Sequence, residues 1–401
     1  NDRFFFNFVD PYFLGSTFSL SSTIFATDVS YESFSQQATG VEFILGHFLD
    51  DEHRARGSLR YSYSSRKIDQ PLSVNAASVI FRELFQGTET TSLVGLNYRK
   101  DTRDDRVAPT RGQIVGGSVE LAGLGGFAKF ARFEGRWTGF FRPPGWFPGW
   151  FPFRDRSTFI LGARFGYVIP FNEISDYDLL VPEAESFFPG SELQYLKDID
   201  TDLKLPLTER YFLGGLGLYQ LRGYRARSVG PRRAILRRRG LFGTGNAFTP
   251  VGRGQAFETG AGGEIIGAQY ICLDEPGTEI VYQGNGNGKC NSLFDEDIDD
   301  FDDLDETDVI GGNKFFSATI EYRFPISESL GLMGILFFDM GNAVAENETI
   351  FDVGLWRYGT GFGVQWFSPF GPLQAFLGFP LNKLEVEDSP VFEFSVGGAS
   401  F

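Results

Sequence analysis

Val391-Phe392-Glu393-Phe394-Ser395-Val396-Gly397-Gly398-Ala399-Ser400-Phe401 follows Pro390 directly, alternates in polarity and finishes on an aromatic residue. Side chains of a strand point alternately to its two faces, so Phe392, Phe394 and Val396 share one face while Glu393 and Ser395 share the other. One face suits hydrocarbon and the other water, which is how a strand of an outer-membrane β-barrel is written. Phe401 is a residue out of phase with Phe392 and Phe394, so a bulge or turn is expected at Gly397-Gly398, where the backbone is freest.

Working back from that strand, the same alternation recurs in segments of about ten residues, the length that crosses a bilayer at a tilt. The segments are 2–9, 17–28, 37–48, 56–66, 92–100, 113–123, 128–141, 158–170, 314–324, 332–344, 356–367, 373–379 and 391–401. The expected fold is all-β: one transmembrane antiparallel β-barrel over 1–401, with about thirteen strands, surrounded by outer-membrane lipid. An odd count is unusual, because bacterial single-chain barrels have an even number of strands. Residues 171–313 interrupt the pattern far beyond the ~12–15 residues of an ordinary structureless loop, and so form an inserted extracellular or lumenal segment. In 68–91, Ile80 and Phe81 recur four residues later as Leu84 and Phe85, a spacing that suggests a short loop helix. The stretch 143–151, with Trp146 and Trp150, suits either an anchor at the lipid interface or packing between loops.

Composition fits this picture. The 401 residues include 45 Phe, 15 Tyr and 50 Gly at 42% hydrophobic, yet the mean hydropathy is only -0.14, as expected when half of each strand faces water. No window approaches the roughly 18 apolar residues of a membrane-spanning helix, and the densest short run is 331–338. The chain begins at Asn1 without a basic, apolar leader, which reads as a processed or partial chain. A net charge of -16 argues against a nucleic-acid partner. Much of that charge sits in 294–306, which reads as a solvated loop and lacks the glycine that a calcium loop needs.

Cys272 and Cys290 are the only cysteines. A disulfide between them would close a loop worth roughly 3 kcal/mol in the chain-entropy model and imply an oxidising compartment, whereas two free thiols remain the alternative. They are too few for a metal centre, and no metal or cofactor is expected. A barrel enzyme would need a nucleophile and base within reach of each other, and His47 and His53, both near one turn, are the only histidines. No enzymatic activity is expected.

The sharpest motifs lie inside the long interruption: Glu209-Arg210-Tyr211-Phe212-Leu213-Gly214-Gly215, then Leu221-Arg222-Gly223-Tyr224, then Ser228-Val229-Gly230-Pro231. Further pieces are Asp101-Thr102-Arg103-Asp104 with Pro109-Thr110-Arg111-Gly112, then Phe338-Asp339-Met340-Gly341-Asn342, and Gln365-Trp366-Phe367-Ser368-Pro369-Phe370-Gly371-Pro372-Leu373. In this order and spacing the chain resembles the BamA family of outer-membrane barrel-assembly insertases, and more broadly the superfamily of insertases and transporters around it. Gly230-Pro231 and the Ser368 to Leu373 turn look more like the insertases than like two-partner secretion transporters. Leu221 and Tyr224 stand where the insertases commonly have Val and Phe, and the insertion at 232–310 is unusually long.

The resemblance implies a sixteen-stranded barrel whose fourth strand and its turn correspond to 2–15, so the first three strands and the periplasmic POTRA domains are expected to be absent from this chain. It implies that the loop bearing Arg222 folds back into the lumen, where Arg222 meets Glu321 and Asp339 on the barrel wall. It implies no covalent chemistry, nascent outer-membrane β-barrel proteins as clients, and periplasmic or lipoprotein subunits of an assembly complex as partners. The final strand, with Phe392, Phe394 and Phe401, would form one side of the seam. The residue chemistry is consistent: a guanidinium carries five donors in a fixed fork, enough for two carboxylates. Parity agrees for Glu321, because Phe316, Ala318, Ile320, Tyr322 and Phe324 take the opposite face. It is weaker for Asp339, whose face also carries Ile335 and Phe337.

Overall fold

Alternating polarity becomes a single antiparallel sheet of thirteen strands in the computed structural model. The structure describes residues 2–30, 35–69, 88–143, 145, 156–172, 205–217, 219–231, 309–345, 348–368, 371–384 and 387–396, together with the backbone of 76–77, 232–239, 247–250, 258–259, 265–267 and 307–308. The strands are β1 Asp2–Asp10, β2 Ser19–Ser30, β3 Ser35–Phe48, β4 Ala55–Asp69, β5 Thr88–Asp101, β6 Gly112–Ala122 and β7 Phe130–Phe141. They continue as β8 Thr158–Pro170, β9 Lys314–Ser327, β10 Leu332–Val344, β11 Arg357–Ser368, β12 Gly371–Pro380 and β13 Val391–Val396. Each pairs with its neighbour in chain order, and β8 pairs directly with β9 although more than a hundred residues separate them. The long interruption is therefore an insertion between adjacent strands. A small separate sheet joins Arg232–Arg239 to Ala76–Ala77, Ala247–Pro250 and Thr307–Val309.

All thirteen expected segments coincide with strands, but several strands run further than their apolar alternation. The expected segment 56–66 extends to Asp69 in β4, and 92–100 begins at Thr88 in β5. Ladder hydrogen bonds join backbone groups whatever the side chains, so pairing continues where apolar–polar alternation ends. Outward-facing residues such as Phe4, Leu59, Leu96, Phe165, Leu336, Phe362 and Phe392 are exposed, and together they form the apolar band that a lipid-facing surface requires. β1 pairs only with β2, and β13 only with β12, among the described residues. Phe401, Cys272, Cys290, the acidic stretch 294–306 and the expected helix near Ile80 and Phe85 lie outside the described residues.

The core is lumenal. Residues 205–217 and 219–231 lie against the inner wall as an irregular plug, held to itself by backbone bridges Leu213 to Val229 and Gly215 to Leu221, and to Gly312, just before β9, by a bridge from Tyr211. Its buried Leu205, Tyr211, Leu213, Leu221, Tyr224 and Val229 pack on Leu93, Phe130, Val168, Phe315 and Ala343 of the wall. Each fully buried side chain of this size is worth about 1.5–3 kcal/mol, which helps explain why a segment with little regular structure stays in place.

Candidate functional site

Arg222 is the largest fully buried side chain of the plug, at 1% exposure. Its Nε and backbone N donate to Asp339 Oδ2 at 2.8 and 2.9 Å, and its Nη2 donates to Asp339 Oδ1 at 2.8 Å. Nη1 donates to Glu321 Oε2 at 2.5 Å, and Nη2 reaches Thr319 Oγ1 at 3.0 Å. Thr319 in turn donates to Asp339 Oδ1 at 2.5 Å, while the other Glu321 oxygen accepts from Arg323 Nε. Two arginines and two carboxylates thus form a buried group with balanced charge. The guanidinium also lies 3.9 Å from the centre of the Phe337 ring and 5.1 Å from that of Phe376. This explains the apolar residues on the face of Asp339: they form the floor beneath the arginine, where a desolvated cation over an aromatic face is favoured.

Glycines let the two backbones meet. Gly223 has φ 98°, a left-handed conformation that favours glycine, and a Cβ there would lie 3.1 Å from the Phe379 carbonyl carbon. On the wall, a Cβ at Gly359 would fall 2.0 Å from the Arg222 carbonyl oxygen, and one at Gly378 would fall 2.5 Å from Gly223 N. Gly359 is the register partner of Asp339 on β10, so the bare stretch of wall adjoins the carboxylate that receives the arginine. Tyr224 packs beyond it, with its hydroxyl 2.9 Å from Asn382 Oδ1 and 3.0 Å from the Tyr358 carbonyl. Leu221 is fully buried in the core beside it.

A second polar cluster fixes the entry to the plug. Glu209, in the 3-10 turn Leu207–Glu209, accepts from Arg66, from Arg132 Nη2 at 2.7 Å and from Thr91 Oγ1 at 3.1 Å. The chain of charges continues along the wall, with Arg132 3.4 Å from Glu120, Glu120 2.7 Å from Arg60, and Arg60 2.6 Å from Glu42. Burial alone would raise the Glu209 carboxyl, but Arg66 and Arg132 together hold it below its usual range. A carboxyl depressed in the folded state contributes stability above its unfolded pKa, and that contribution is lost as pH falls through the folded value. The expected result is that the thermal midpoint of the wild type, followed by heat-modifiable gel mobility, drops as the pH falls below roughly 4.5, the ordinary carboxyl value, and goes on dropping until Glu209 is protonated in the folded barrel. Glu209→Gln should have a lower midpoint at pH 7 and a shallower drop. Parallel profiles for the two proteins would remove Glu209 as the source.

On β13, Phe392 and Phe394 face outward, while Glu393 turns inward and accepts from Leu216 N of the plug at 3.1 Å. His47 and His53 sit beside the β3–β4 turn with their rings against Phe18 and Phe48. Sequence reasoning gave no role to Glu209, Arg66, Arg132, Gly359, Gly378 or Glu393. Glu120 lies opposite Arg132 across β6 and β7, a neighbourhood that becomes visible only once the register is known.

Residues 1–399 match the Omp85 superfamily domain. By sequence, 233 residues are 25% identical to the outer membrane protein assembly factor BamA of Neorickettsia risticii (strain Illinois), covering 53% of this chain and 28% of that protein. A further 98 residues are 36% identical to BamA of Nitratidesulfovibrio vulgaris (strain Hildenborough), covering 24% and 12%. Among solved structures, BamA from Haemophilus ducreyi lacking POTRA domains 1–3 aligns over 98% of this chain and 61% of that one, with a TM-score of 0.59 at 16% identity. The aligned region thus spans only part of each relative, and the structural likeness bears on the fold. The barrel fold is that of a bacterial outer-membrane protein, and the chain belongs to the Omp85 superfamily.

Proposed function

We propose that this chain is the barrel domain of an outer-membrane insertase that folds other β-barrel proteins without covalent chemistry. The observation that carries the reading is a plug pinned through Arg222 to Glu321 and Asp339 on the inner wall of a barrel that matches the Omp85 superfamily domain. In this reading the barrel of the longer protein has a weak seam at β13, and backbone N–H and C=O groups freed when that seam opens would template an incoming strand. The plug would brace the wall while the edge exchanges partners, and the Glu393 contact with Leu216 would tie the two together. In this reading the longer protein supplies three more strands and periplasmic POTRA domains, and works with periplasmic or lipoprotein subunits.

The test uses the full-length protein reconstituted in liposomes, with a cysteine replacing Ser395 on β13 and single cysteines along the last strand of an unfolded barrel client. The expected result is disulfide capture of the client in one register, and faster client folding than in empty liposomes. The competing reading is a translocator of the two-partner secretion type. It would be favoured if barrel clients are neither captured nor accelerated while one dedicated soluble partner crosses into the liposome.

A further inference from the structure

Between the plug and the inner wall lies a cavity of about 680 Å³ lined by strands β2 to β8 and by Tyr219 and Phe315. Five arginines line it, Arg56, Arg60, Arg99, Arg136 and Arg164, against only two glutamates, Glu42 and Glu134. Four of the arginines fall in one register row. Arg56 on β4 is paired with Arg99 on β5, Arg99 with Gly116 on β6, Gly116 with Arg136 on β7, and Arg136 with Arg164 on β8. The gap left by Gly116 is filled by the Arg136 side chain, whose Nε would lie 2.8 Å from a Cβ built there.

Like charges placed directly opposite each other across a sheet are destabilising, so this row needs anions to offset it. Most of the nearby carboxylates have other partners. Glu42 and Glu120 hold Arg60, Glu134 accepts from the Tyr211 and Tyr219 hydroxyls, and Asp339 holds Arg222. Asp101 lies 3.6 Å from Arg99. Arg164 donates to the Gly217 carbonyl and Arg56 to Ser19 Oγ. Arg136 makes no ion pair among the described residues.

The geometry points to a lumenal binding site for an extended acidic polypeptide segment, laid across β4 to β8 along the arginine row. Five adjacent strands at about 4.8 Å spacing give a row of roughly 19 Å, the span of about six extended residues. A single phosphate or carboxylate would satisfy only one neighbouring pair, whereas alternate carboxylates of a peptide can meet several guanidiniums in turn. The inference does not depend on the assembly reading, since it concerns equilibrium binding to the lumen.

The test is fluorescence anisotropy with the purified full-length protein in detergent, using hexaglutamate and hexaserine peptides that carry the same uncharged dye. Hexaglutamate should bind and hexaserine should not, and raising salt from about 50 to about 500 mM should abolish binding. Arg136→Gln and, separately, Arg99→Gln should each weaken binding by about tenfold or more, while Arg54→Gln, on an exposed turn, should not. Retained heat-modifiable mobility establishes that each variant is folded. If hexaglutamate fails to bind at low salt, or binds equally to both row variants, the proposal is wrong. If inorganic phosphate competes as effectively per molecule as the peptide binds, the site is a single-oxyanion site and the extended-segment proposal is overturned.

Discussion

Asp339→Ala is expected to lower the stability of the plugged barrel by about 3–5 kcal/mol, the usual cost of leaving one member of a buried ion pair without its partner. The carboxylate accepts four hydrogen bonds, from Arg222 N, Nε and Nη2 and from Thr319 Oγ1. Its removal strands a cation at 1% exposure with only Glu321 to offset it, and Glu321 is already shared with Arg323. The plug should then loosen, which exposes the 205–231 segment to trypsin and lowers the midpoint of heat-modifiable mobility. Adding Arg222→Met to Asp339→Ala should recover part of the loss, because an uncharged side chain no longer needs a counter-ion. An unchanged midpoint and trypsin pattern in Asp339→Ala would rule out the brace.

Gly359→Ala is expected to have an effect as large from a single methyl group. Its Cβ would sit 2.0 Å from the Arg222 carbonyl oxygen and 3.7 Å from Tyr224 Cε2. The first of these is backbone and cannot rotate away. The strand cannot yield easily either, because Gly359 is held between Asp339 on β10 and Pro380 on β12. The plug must therefore move, which costs at least the roughly 1–3 kcal/mol typical of overpacking and also disturbs the Arg222 hydrogen bonds. Gly57→Ala is the control, since its Cβ would meet only the Leu49 side chain, at 3.4 Å. The measurement is trypsin sensitivity of 205–231 in the two variants. Equal protection would show that the close approach at Gly359 does not hold the plug.

Different parts of the site were legible to different degrees. Glu321 could be placed on the lumen face from parity alone, because its neighbours on β9 alternate cleanly. Asp339 could not, since Ile335 and Phe337 share its face, and the structure shows why: the plug makes that part of the lumen apolar, so the wet-face rule fails there. Glu209 was visible only as part of a motif. Its partners Arg66, Thr91 and Arg132 lie 143, 118 and 77 residues away, and no local spacing reports such contacts. The arginine row was equally hidden, because it exists only once the register of five strands is known.

By itself the sequence determined that the chain is a sheet of about thirteen strands with one face for lipid, because period-two alternation is a local property that each strand must satisfy alone. It also marked Arg222 and its neighbours, through the order of short motifs. Only the tertiary structure decided what faces what across the lumen: that Arg222 lies on Phe337 between Asp339 and Glu321, that bare glycines admit the plug, and that four arginines line up in one register row. The reason is physical. Strand formation depends on residues two apart, whereas lumenal chemistry depends on the relative register of strands and on where an irregular segment comes to rest, and both are settled by packing between residues far apart in the chain.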